Sequence, residues 1–239
     1  MAHFYQPSGR QPFLRAPGIV IAVIALLVAI EAVLQLVIPA RSEEIFYLYG
    51  LVPARYSHAF LAAHHLNGGN VLERAGPFFT YMLLHGGWMH VLVNCIWLLP
   101  FGAVVARRYG TWLFLLLFVL CGIAGAAAHL ALNWGSPAPL VGASAAVSGL
   151  MAVAFRMMGA TPDGRLAPLL SPQVATWSAV WIGINIVAGV TGLGTGRPVQ
   201  EVAWQAHLGG YFAGLLLAGP VDRLRFRGIA RVPKPVDSG

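Results

Sequence analysis

Long runs of apolar residues, each closed by arginine, proline or glycine, recur along this chain and leave it few alternatives to a membrane fold. The first run, Gly18 to Ala40, carries a single charged residue, Glu31. A helix needs roughly 20 apolar residues to cross about 30 Å of hydrocarbon. The 239 residues are 58% hydrophobic and 10% charged, with a mean hydropathy of +0.71, a mix foreign to soluble domains. That length holds about six or seven spans and leaves no room for a second globular domain. Cys95 and Cys121 both lie inside apolar runs, where they read as packing residues rather than as a disulfide framework or a metal knuckle.

Six spans are expected: Gly18 to Ala40, Trp88 to Ala106, Thr111 to Leu132, Ser144 to Met158, Val174 to Val190 and Trp204 to Gly219. The first is too long for a signal-peptide core and lacks a small-residue cleavage site, so it reads as a retained helix. The chain thus divides into an N-terminal tail (1–17), a six-helix membrane domain (18–219) with a long loop at 41–84, and a basic C-terminal tail (220–239). The loop reads as an interfacial segment rather than a span. Of the 15 basic residues, eleven fall on one side of this topology and four, Arg41, Arg55, Arg74 and Arg197, on the other. Lys and Arg concentrate on cytoplasmic loops, so both termini are expected in the cytoplasm, and the long loop and the loop Thr191 to Ala203 outside. A net charge of +7 dispersed over helix ends fits membrane orientation and not nucleic-acid binding.

Polar side chains within such spans are costly and usually face a cavity or a partner. Here they are Glu31, His90, Asn94, Ser144, Ser148 and His207, with His129 and Asn185 at less certain depth. Ser144 lies 12 residues before Arg156, Asn94 lies 13 before Arg107, and His207 lies 13 before Pro220. At about 1.5 Å per residue all three sit roughly 18 to 20 Å from the cytoplasmic end of their helix. A hydroxyl, an amide and an imidazole therefore share one level, below the outer edge of the hydrocarbon. A serine hydroxyl becomes a useful nucleophile when a neutral imidazole takes its proton. Ser144 follows Gly142-Ala143 at a helix start, where backbone N–H groups are unpaired and the helix dipole favours an anion. His90 and Asn94, four residues apart, share a helix face and are candidate donors to an oxyanion. None of the eight acidic residues lies beside His207 in sequence, so a Ser-His dyad is the simpler reading.

Three motifs carry a resemblance: His85-Gly86-Gly87-Trp88-Met89-His90-Val91-Leu92-Val93-Asn94, then Gly142-Ala143-Ser144-Ala145, then Ala206-His207-Leu208-Gly209-Gly210 continuing to Gly214. In this order, on the second, fourth and sixth spans, they resemble the rhomboid family of intramembrane serine proteases. The resemblance implies an all-α polytopic bundle of six transmembrane helices, Ser144 as nucleophile, His207 as base, and His90, Asn94 and Gly142 at the oxyanion and substrate. It implies single-span membrane proteins as substrates, cut within the bilayer, entering between the second and fifth helices with the loop Thr191 to Ala203 as a lid. It also places Leu51-Val52-Pro53-Ala54-Arg55 in the family's first outward loop. Departures are Ala145 where the family has glycine, Ser148 where an aromatic residue often faces the histidine, and Gly76-Pro77 in place of a Trp-Arg pair.

Other chemistries fit less well. There is no His-Glu-x-x-His for zinc, no pair of intramembrane aspartates, and no internal repeat of a transporter. Neither metal nor cofactor is called for. A catalytically inactive rhomboid-like protein that binds membrane clients is the alternative, against which the presence of both Ser144 and His207 argues. Fourteen arginines against one lysine suggest a GC-rich bacterial genome, and with it the bacterial inner (plasma) membrane.

Overall fold

The structure, a computed structural model, describes residues 16–161, 164–191 and 203–227. Among them are six helices of 15 residues or more: α1 (Gly18–Ala32), α2 (Trp88–Tyr109), α3 (Thr111–Leu132), α4 (Ser144–Met158), α5 (Pro172–Thr191) and α6 (Trp204–Arg225). Three segments, Gly18–Val37, α2 and α3, are long and apolar enough to cross a membrane by length and composition alone. Residues 192–202 of the loop expected as a lid, most of the N-terminal tail and the C-terminal tail beyond Arg227 lie outside the described residues.

Helix ends follow local chemistry. α1 continues as a π-helical turn over Val33–Val37 and stops at Ile38, whose φ of −130° leaves the helical region before Pro39. The residue before a proline is pushed out of that region by the ring, so the helix ends short of Ala40. α5 begins at Pro172, where the missing N–H costs nothing. α2 runs one turn beyond Ala106, bringing Arg107, Arg108 and Tyr109 into the helix.

The sixth helix corrects the expected boundary at Gly219. It passes through Pro220 and ends at Arg225, so residues 220–225 are helix rather than tail. A proline removes one backbone hydrogen bond, and here the turn beyond it is held by side chains. Asp222 Oδ1 accepts from Arg108 Nε at 2.8 Å and from Arg108 Nη2 at 2.6 Å, with the Tyr109 hydroxyl at 3.3 Å. Arg156 Nη1 donates to the Leu215 carbonyl at 2.8 Å. The arginine-rich ends of α2, α4 and α6 are thereby tied together.

The segment expected as a loop at 41–84 holds short helices at Ser42–Tyr49, His58–Ala63, Val71–Ala75 and Pro77–Thr80, with 3₁₀ turns at Pro53–Tyr56 and Tyr81–Leu83. Isolated helices this short do not persist in water, and their periodicity is too brief to read. They are anchored by contacts. Leu51 and Leu140 exchange backbone hydrogen bonds of 3.1 and 2.8 Å, Thr80 Oγ1 donates to the Tyr49 carbonyl at 2.5 Å, and the buried Tyr81 hydroxyl donates to Gly122 O of α3 at 2.7 Å. His58, His64 and His65 are exposed.

α4 sits at the centre, with every residue from Ala145 to Ala154 buried. A helix buried all round needs small residues where neighbours approach. A Cβ added to Gly210 would meet the Ala145 carbonyl, one added to Gly214 the Gly149 carbonyl, and one added to Gly149 the Cys121 side chain of α3. Gly125 of α3 is in turn held against Ala145 and Ala206. α4 and α6 therefore touch backbone to backbone. Outward faces carry large apolar residues such as Trp112, Met89 and Leu216, as lipid contact requires.

Gly214→Ala is expected to lower the thermal midpoint in detergent, since overpacking of this kind costs about 1–3 kcal/mol. Leu216→Ala, at a 63% exposed position on the same helix, is the control. Equal midpoints for the two variants would contradict the close approach of α4 and α6.

Candidate active site

Ser144 is the first residue of α4 and His207 lies one turn into α6. They are 63 positions apart in sequence, yet His207 Nε2 stands 2.7 Å from Ser144 Oγ. The packing described above explains the meeting. Ala145, next to the serine, lies against Gly210, three residues past the histidine. Both residues are only partly buried.

The other ring nitrogen, Nδ1, is 2.6 Å from Asn185 Oδ1 of α5. Sequence reasoning named Asn185 as a polar residue but gave it no role. The available signal was an amide within the otherwise apolar stretch Ala179–Val190. With no charged residue at either end of α5 to fix its height, that signal did not connect to His207. Asn185 is 3% exposed and its Nδ2 donates to the Trp181 carbonyl at 2.8 Å. Ser148, which stands where an aromatic neighbour to the histidine was looked for, instead donates to the Ser144 carbonyl at 2.8 Å. Glu31 is fully buried on α1, beside Gln35 and the Gly87 backbone but without a hydrogen bond of good geometry.

The approach to the serine is shaped by Gly142, whose φ is +119°. L-residues avoid that region, and an added Cβ would lie 2.6 Å from His90 Nε2. The Gly142 N–H donates to the Tyr81 carbonyl at 2.9 Å and is not free for an oxyanion, so Gly142 contributes the turn and the room for the His90 ring. His85 is buried under this loop, and the Ala143 N–H points at its Nε2 over a long 3.5 Å. Burial, reinforced by His90 nearby, pushes the His85 imidazole down to about 3, so it is a neutral acceptor. The His85 and His90 rings meet edge to face at 5.0 Å.

His90 accepts at Nδ1 from the Gly86 N–H at 3.2 Å. Its proton is therefore on Nε2, the nitrogen directed at the Gly142 turn. Asn94 is 3% exposed and spends one N–H on the His90 carbonyl, 2.9 Å away, leaving a second to donate. The first-turn N–H groups of α4 have no intrahelical acceptor. Chemically, this set can remove a proton from a hydroxyl and hold a negative charge beside it. Among the described residues no group of three or more His, Cys, Asp or Glu side chains is placed to hold a metal ion.

Comparison with known proteins gives the family. The chain belongs to the rhomboid family: the family model described as Rhomboid domain matches residues 73–222, a span that includes His85, His90, Asn94, Gly142, Ser144, Ser148, Asn185 and His207. It is an integral membrane protein. Rhomboid protease GluP of Bacillus subtilis (strain 168) is 30% identical over 139 residues, a stretch that is 58% of this chain and 24% of that protein. The match thus spans about a quarter of the relative's length.

Gly142→Ala is expected to reduce any Ser144-dependent activity about tenfold or more, because strain of about 1–3 kcal/mol falls on the turn that delivers the serine. The measurement is the activity of the purified variant beside its thermal midpoint. Full activity would mean that the turn tolerates a side chain and that the His90 ring has space to retreat.

Proposed function

We propose that this protein is an intramembrane serine endopeptidase that cuts single-span membrane proteins, using Ser144 as nucleophile and His207 as base. The observation that carries the reading is the 2.7 Å contact between His207 Nε2 and Ser144 Oγ in a chain of the rhomboid family. With Nδ1 donating its proton to Asn185 Oδ1, Nε2 has a free lone pair for the serine proton. Oγ attacks the scissile carbonyl. The oxyanion forms at the N-terminus of α4, where backbone N–H groups, His90 Nε2–H and the second N–H of Asn94 are candidate donors. His207 then gives the proton to the leaving amine, and water hydrolyses the acyl-enzyme by the same route in reverse.

Depth supports cleavage inside the bilayer. α4 has 15 residues, about 22 Å of helix, against about 30 Å of hydrocarbon. With Arg156 at the cytoplasmic boundary, Ser144 stops short of the outer one. The six helices are proposed to span, with both termini cytoplasmic as the basic residues require, in the plasma membrane of a bacterium. α4 and α6 then cross as shielded or polar-faced helices rather than as lipid-exposed apolar ones. The relative named above is a rhomboid protease, which accords with this activity. A helical peptide bond is enclosed by its own hydrogen bonds, so a client must unwind to present its carbonyl, and unwinding is cheapest near the watery outer side and near Gly or Pro.

Ser144→Ala and His207→Ala are each expected to abolish cleavage of a single-span reporter without lowering the thermal midpoint. Asn94→Ala is expected to keep residual activity, losing about 3 kcal/mol of transition-state stabilisation. Near-normal cleavage by either of the first two would remove the dyad. In a series of reporters with the Gly-containing stretch moved inward one turn at a time, products identified by mass spectrometry should keep the cut near the outward end. A cut that tracks to the cytoplasmic side would contradict both the orientation and the depth.

A further inference from the structure

We propose that Asn185 is the positioning residue for His207, so that the base is competent only while α5 is seated against α6; this rests on the Ser144–His207 reading above. The argument begins with the imidazole's two tautomers. Nε2 must be unprotonated to accept from Ser144 Oγ, so Nδ1 must carry the hydrogen and needs an acceptor. Asn185 Oδ1 is that acceptor, at 2.6 Å. The amide is oriented by its own helix, since Nδ2 donates to the Trp181 carbonyl at 2.8 Å. Turned over, the amide would offer N–H to Nδ1, force the hydrogen onto Nε2 and leave the serine without a base. One hydrogen bond to a backbone carbonyl therefore selects the working tautomer.

Other groups on the neighbouring helices are engaged elsewhere. Ser148 is committed to the Ser144 carbonyl, Ala124 and Ala128 of α3 pack on Gly209, and Glu31 lies beside Gly87. Among the described residues, the His90 ring of α2 has its Nδ1 taken by the Gly86 N–H, so it offers no acceptor to His207 Nδ1–H. The site is thus assembled from three helices: nucleophile on α4, base on α6, orienting amide on α5. α5 is held there by the Ser178–Tyr211 hydroxyl pair at 2.7 Å and by ring contacts of Trp177 with Phe155 and of Trp181 with Trp97. Displacing α5 removes the acceptor from His207 and frees the ring to rotate or change tautomer. Because asparagine is neutral, it fixes the tautomer without adding the charge that would make the imidazole more basic.

The test compares kcat, KM and the pH profile of reporter cleavage for the full chain and for Asn185→Ala and Asn185→Asp, each with its thermal midpoint. For Asn185→Ala, kcat should fall about 100-fold with KM within about twofold, the pattern of a group that acts only in the chemical step. Asn185→Asp should recover most of kcat and move the acid limb of the profile to higher pH by about one unit, because a carboxylate stabilises the imidazolium and the active form is the neutral ring. Wild-type kcat in the alanine variant overturns the proposal. So does a folded aspartate variant whose acid limb does not move, which also decides the matter if the alanine variant fails to fold. A wild-type chain that does not cleave, or a Ser144→Ala chain that does, contradicts the proposed function instead.

Discussion

Everything at this site depends on two helix backbones touching. In lipid there is no hydrophobic drive to bring helices together, and close packing with small residues takes its place. Gly210 against the Ala145 carbonyl and Gly214 against the Gly149 carbonyl set the spacing and the register of α4 and α6 at once. A helix advances about 1.5 Å per residue, so a slip of a single residue would exceed the tolerance of a hydrogen bond. Ser144 precedes one of these contacts by one residue and His207 precedes it by three. Their meeting is a consequence of the glycines, and α3, through Gly125 and Cys121, holds the pair from the other side.

The second constraint is that polar groups at bilayer depth need partners. Most of the amides and hydroxyls here find one on their own helix: Asn94 on His90 O, Asn185 on Trp181 O, Ser148 on Ser144 O. This pairing leaves each side chain oriented and with capacity for one further bond. Asn185 uses that capacity on His207, and Asn94 keeps a second N–H beyond the one given to His90 O. At the arginine-rich end the pattern differs. There Arg108, Asp222 and Tyr109 join α2 to α6 across the bundle, far from the chemistry, on the turn that follows Pro220.

Much of this was legible in the residues. The six long helices begin within two residues of the expected starts, because a bilayer imposes a length and arginine, proline and glycine mark the ends. The pairing of Ser144 with His207 was legible from depth, since Arg156 and Pro220 gave each helix a ruler. The Pro220 ruler was right in spacing and wrong as a terminus, because what carries α6 to Arg225 is an ion pair with a residue 114 positions away. The short helices of 41–84 were hidden, as each is too brief to show a period and exists through contacts such as Leu51 with Leu140. Asn185 was visible as an oddity without an assignment. Its partner lies 22 positions away, and α5 offers no charged residue from which its depth could be counted.

The central claim is that the contact between α4 and α6 turns Ser144 into a nucleophile, and its most direct test is covalent. A fluorophosphonate reacts with a serine whose proton is taken by a neighbouring base and whose adduct is held by oxyanion donors. Treating the full chain in detergent and locating the adduct by peptide mass spectrometry should place a single phosphonyl group on Ser144, absent from Ser144→Ala and from His207→Ala. An unlabelled wild-type chain, or equal labelling of the Ser144→Ala chain, would contradict the account.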